Sequence, residues 1–125
     1  MKKRKNQGQS LIEVLTALAI AILVIVTLVA GVTYAIRNLT HAKNQALATQ
    51  YAQEGIELAR KARDESPATF FTDGSCNIEE PLGVFSRERW CVLDGEMMDV
   101  RVVVSWSEGS KTHATTLETK LSNWR

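Results

Sequence analysis

The chain has 125 residues, room for one domain and one anchor, and its formal charge of +1 is unevenly spread. Four of its 15 basic residues are Lys2, Lys3, Arg4 and Lys5, and the remainder carries 11 basic against 14 acidic side chains. A mildly acidic body argues against a protein whose main work is gripping nucleic acid or anionic lipid, because both require a dense positive surface, and no nucleic-acid partner is expected.

Residues 14–36 contain no charged side chain. These 23 positions, as a helix rising about 1.5 Å per residue, reach about 35 Å, enough to cross a hydrocarbon core of about 30 Å. Thr16, Thr27 and Thr33 can return their hydroxyls to their own helix, and Gly31 and Tyr34 are ordinary in membrane spans. A helix this apolar on all sides is too long for the remaining chain to wrap. The basic run at residues 2–5 is expected to stay cytoplasmic, which puts the C-terminal body outside. The apolar stretch exceeds the 7–15 residues or so of a secretory signal peptide, and residues 29–31 offer only a weak cleavage site.

Glu13 stands among Leu11, Ile12, Val14 and Leu15, where an unpaired charge costs a few kcal/mol unless it lies at headgroup depth. The run from Lys2 to Gly8, followed by Gln9, Ser10, Leu11, Ile12 and Glu13, resembles the start of a type IV prepilin or type II secretion pseudopilin. That family has a short basic leader ending in Gly, a cut directly after it, and a Glu as the fifth mature residue. The resemblance implies cleavage between Gly8 and Gln9 by a prepilin peptidase and N-methylation of Gln9. It also implies an assembly role for Glu13, pairing with the N-terminal amine of a neighbouring pilin or pseudopilin subunit. Where the family commonly starts with Phe or Met followed by Thr, this chain has Gln9-Ser10.

Beyond the span, no Pro occurs between Arg37 and Glu65, so the helix is expected to continue to Ser66-Pro67. Ala48, Tyr51, Ala52, Gly55, Leu58, Ala59 and Ala62 recur at spacings of three and four and form one face. Asn44, Gln50, Glu57, Arg60, Lys61 and Asp64 lie opposite, with Glu57–Lys61 and Arg60–Asp64 four apart. An unbroken helix from residue 9 to 65 would measure about 85 Å. Gly55 costs roughly 1 kcal/mol in a helix interior, and a tryptophan packed over it would account for its presence.

Strands are expected at residues 89–93, turned by Asp94-Gly95, then at 100–106, and after a Gly109 hairpin at 115–121. Val100, Val102, Val104 and Trp106 share one face, as do Leu117 and Leu121. The expected fold class is α+β: a long N-terminal helix, transmembrane in its first half, packed against a small C-terminal antiparallel sheet of three or four strands. Its segments are a leader (1–8), the transmembrane and assembly half of the helix (9–36), its exported half (37–65), and a loop and sheet domain (66–125). Residues 52–64 and the ending Leu121-Ser122-Asn123-Trp124 also resemble stretches of minor pilin-like proteins.

Cys76 and Cys91 are the only cysteines. In an oxidising compartment they can close a loop of about 15 residues, worth roughly 3 kcal/mol, and the bridge is favoured over two free thiols. With His41 and His113 the only histidines, no zinc-ligand spacing is present. Asp94, Glu96 and Asp99 read as turn residues rather than a calcium loop, so no metal or other cofactor is expected. His113 reads as an exposed strand residue. Arg87, Arg89 and Arg101 are interleaved with Glu88, Asp94 and Asp99. No nucleophile motif or phosphate-cradling loop occurs, and no enzymatic activity is expected. The leading reading is a minor pilin or pseudopilin, inserted in a bacterial or archaeal-type membrane and then built into an extracellular or periplasmic filament. The alternatives are a tip binding module for surface or DNA uptake on the same anchor, and an uncleaved single-pass membrane protein.

Overall fold

The computed structural model describes residues 7–72 and 74–123, with side chains from Gln9 onward. The leader residues before Gln7, and Trp124, lie outside the described residues. The element order is α1 (Gln7–Glu65), α2 (Pro67–Phe70), β1 (Ile78–Leu82), β2 (Phe85–Asp94), β3 (Met97–Glu108) and β4 (Lys111–Ser122). The chain divides into two units, Met1–Thr40 and His41–Arg125.

In the first unit α1 is a single helix whose side chains are exposed from Gln9 to Thr40. It is the one helix among the described residues long and apolar enough to cross a membrane. The Thr16, Thr27 and Thr33 hydroxyls donate to the carbonyls of Glu13 (2.9 Å), Val24 (2.8 Å) and Val29 (2.8 Å), so each polar group is satisfied within the helix.

In the second unit α1 continues to Glu65 and packs against the sheet. Ala48, Ala52, Gly55, Ile56 and Ala59 are buried, and small side chains let the helix backbone approach the strands. Two details differ from the sequence pattern. Ile56 belongs to the buried face and Leu58 does not, being 40% exposed. The polar-face pairs also differ: Arg60 bonds Glu57, Lys61 lies 3.7 Å from Glu65, and Arg63 reaches Asp64 at 2.8 Å. The Arg60–Glu57 and Lys61–Glu65 groups are solvated, so little energy separates one pairing from another there, whereas the Arg63 side chain is only 16% exposed. Pro67 ends α1 and, as a residue poor in the helix interior but good in the first turn, opens the short α2, which buries Phe70.

The four strands form an antiparallel meander in the order β1-β2-β3-β4. Strict alternation along β3 turns Met98, Val100, Val102, Val104 and Trp106 inward, all 4% exposed or less. Burying each such side chain contributes about 1.5–3 kcal/mol. Phe85 and Cys91 join them from β2, and Leu121 from β4. The β3–β4 connection is the two residues between Glu108 and Lys111, and Gly109 has φ +62°, the positive value that a tight hairpin needs at its first position. β1 carries Pro81, tolerated because this strand is at the sheet edge.

Candidate functional site

The residues expected to direct processing and assembly fall at the start of α1. Gly8 and Gln9 lie in its first turns, and Glu13 follows Gln9 by four residues, which places the two side by side along one helix face. Glu13 is exposed, as are Leu11, Ile12, Val14 and Leu15 around it. Among the described residues nothing within the chain covers this apolar surface or its carboxylate.

In the sheet domain Cys76 and Cys91 form a disulfide, with Cα atoms 5.6 Å apart. The bridge fastens the loop before β1 to the inner face of β2. Asn77 Oδ1 accepts from the Cys91 amide at 2.7 Å, and the Gly74 amide donates to the Cys91 carbonyl at 3.1 Å. Arg87 and Arg89 point inward from β2, only 3% and 9% exposed, and form no surface patch. Arg87 bonds Glu80, lies 3.6 Å from Glu54, and donates to the Tyr51 carbonyl at 3.1 Å. Arg89 donates to the carbonyls of Cys76 at 2.9 Å and Gly55 at 3.3 Å. Burial, and then the neighbouring Arg87 charge, lower the Arg89 pKa, while Glu80 opposes them. These two arginines tie α1 to the sheet and are structural. Arg101, on the other face, pairs with Glu118 at 2.6 Å.

Gly55 is explained by a different neighbour from the one expected. A Cβ there would lie 2.8 Å from Val102 Cγ1 and 3.3 Å from Arg87 Cδ, so the close approach is to a valine and an arginine stem. Asp94 and Asp99 each lie 3.2 Å from Lys120 Nζ. Hydrogen bonding to Asp94, then to Asp99, raises the Lys120 pKa.

One group of chemically capable side chains has no counterpart in the sequence pattern. His41 on α1, Glu108 at the end of β3 and His113 on β4 present their ligand atoms within 4.8 Å of one another. His41 Nδ1 is 3.0 Å and His113 Nε2 3.8 Å from Glu108 Oε2. The other carboxylate oxygen, Oε1, accepts from Asn44 Nδ2 at 2.8 Å and Trp106 Nε1 at 2.9 Å. His113 is therefore not a free strand residue: it stacks on Trp106, ring centroids 5.5 Å apart, and meets His41 edge-on at 4.8 Å. Asn44 likewise turns towards the sheet rather than lying on the polar face. Hydrogen bonds from Asn44, then Trp106 and then His41 outweigh desolvation and hold the Glu108 pKa down to about 2. Helical and strand periodicity place each residue on its element, but only the packing of α1 over the β3–β4 hairpin brings them together.

Comparison with known proteins gives no match: no family model, curated protein or solved structure matches this chain.

Proposed function

We propose that the protein is a structural subunit, a minor pilin or pseudopilin, inserted in a membrane through α1, cut between Gly8 and Gln9, and added to a filament. The observation that carries this reading is a helix exposed along residues 9–40 whose uncharged stretch is preceded by one carboxylate, Glu13, a single turn after Gln9. An apolar helix fits a bilayer, and the same surface fits a bundle of identical or related helices once the subunit leaves the lipid. The carboxylate is the part that a plain anchor does not require. Opposite an amine from a neighbour it is neutralised, and a pair of this kind is tolerated where a lone charge is costly.

In this reading the N-terminus begins in the cytoplasm, and the disulfide-closed sheet domain is outside. The subunit meets a prepilin peptidase first and other pilin-like subunits afterwards, and performs no catalysis. A second reading, a binding module on the same anchor, draws on the outer sheet face, where Trp90 is 53% and Val92 58% exposed beside Arg101 and Glu118. Binding of DNA or a surface polymer by the purified full chain would separate it from a purely structural role.

Intact-mass analysis of the protein extracted from its native membrane tests the processing step. The expected mass corresponds to a chain beginning at Gln9 with one added methyl group. Retention of Met1 would leave an uncleaved single-pass protein, and a new terminus near Ala30 would indicate an ordinary signal peptide.

A further inference from the structure

From the geometry of His41, Glu108 and His113 we infer that the sheet domain holds a divalent transition-metal ion of the zinc type, bound by two imidazoles and one carboxylate. The inference stands on the geometry of the second unit alone and does not depend on filament assembly.

Three properties point to an ion rather than to an isolated hydrogen bond. The first is the spacing. Ligand atoms bound at about 2.0–2.1 Å around a tetrahedral ion lie about 3.4 Å from one another. The observed 3.0 Å and 3.8 Å separations from Glu108 Oε2 fall on either side of that value, and all three ligand atoms lie within 4.8 Å of one another, so the group would draw together around an ion. The second is the donor set. Two ring nitrogens and a carboxylate suit zinc, copper or nickel, whereas calcium and magnesium favour sites built from oxygen alone.

The third is the support behind the ligands. Asn44 and Trp106 occupy Oε1 and leave Oε2 to the two histidines, which is how an outer ring of hydrogen bonds fixes a coordinating carboxylate. Stacking on Trp106 restrains the His113 ring, and the edge contact with His113 restrains His41. Each ligand comes from a different element, so a bound ion would cross-link α1 to the β3–β4 hairpin. Three protein ligands leave a fourth position open to water or to a side chain from another molecule.

The test uses tag-free full-length protein in detergent, stripped with chelator, with its disulfide intact, and titrated with Zn2+ and separately with Co2+. Expected are one bound ion per chain, a rise in Tm with Zn2+, and the intense visible absorption of a tetrahedral Co2+ site. His113→Ala and His41→Ala should each weaken binding at least ten-fold, while Glu79→Gln, an exposed carboxylate elsewhere, should leave it unchanged. Retained circular dichroism in the variants shows that they fold. Absence of one-to-one binding or of a tetrahedral Co2+ spectrum in the wild type would overturn the inference without reference to any variant. Binding that survives both histidine substitutions would overturn it as well.

Discussion

At Gly55 the space is taken by Val102, a β-branched side chain that is fully buried. Gly55→Ala gains about 1 kcal/mol of helix propensity, but forcing a methyl into a filled core costs about 1–3 kcal/mol. The variant is expected to lose about 1 kcal/mol in denaturant unfolding, and pairing it with Val102→Ala should remove most of that loss. A Gly55→Ala protein more stable than the wild type by the full helix-propensity gain would contradict the close approach. The sequence signals that something packs closely over this glycine, yet it cannot say what, because the helix-to-sheet register is set in three dimensions. Lys120 is a second case. Its neighbours Asp94 and Asp99 read as turn acids, and pairing across β2, β3 and β4 gives them to one ammonium group. The folded pKa of Lys120 is raised, so its stabilisation is complete below the unfolded value of about 10.4 and disappears as pH rises through the folded one. Lys120→Met should therefore lower Tm modestly and equally at pH 7 and 9, with the difference from wild type vanishing at high pH. A difference that persists unchanged at high pH would place the effect in packing rather than charge.

Elements were legible in proportion to how regular their patterns are. The alternation of Val100, Val102, Val104 and Trp106 gives β3, and Asp94-Gly95 and Gly109 give the turns on either side of it. Each expected strand is longer in the structure, because mixed residues such as Phe85-Ser86-Arg87 extend β2 once it pairs with β3. β1 was not legible: Ile78-Glu79-Glu80-Pro81-Leu82 shows no clear apolar alternation and contains a proline, and it becomes a strand by pairing at the edge of β2. The histidine–carboxylate group was hidden for a related reason, since its members belong to three elements. The loop preceding β1 is held by the disulfide, by Asn77 on the Cys91 amide and by Arg89 on the Cys76 carbonyl. Thiol alkylation of non-reduced protein is expected to label neither cysteine and, after reduction, both. Replacing both by Ala should cost roughly 3 kcal/mol of stability. Full labelling without reductant would show that the loop is held by hydrogen bonds alone.

For the whole molecule, the long apolar stretch and the alternating C-terminal strands were enough to give the α+β class and the candidate membrane span, because both signals extend over many residues. The proposal that the protein assembles into a filament rests on fewer atoms, chiefly the Glu13 carboxylate. Glu13→Ala should still insert, since loss of a charge makes the span more apolar, and should still be cleaved, since Gly8 and the basic leader are unchanged. Its deficit should lie in assembly, where a neighbour's buried amine loses its countercharge at a cost of a few kcal/mol. Glu13→Gln, which keeps the size and some hydrogen bonding, should be impaired less. The most direct measurement is the ratio of this protein in sheared filaments to that in the membrane, for wild type and both variants. The account predicts a ratio that falls severely in Glu13→Ala and partly in Glu13→Gln; a ratio unchanged in Glu13→Ala would mean that the carboxylate sits at the headgroups and has no part in assembly.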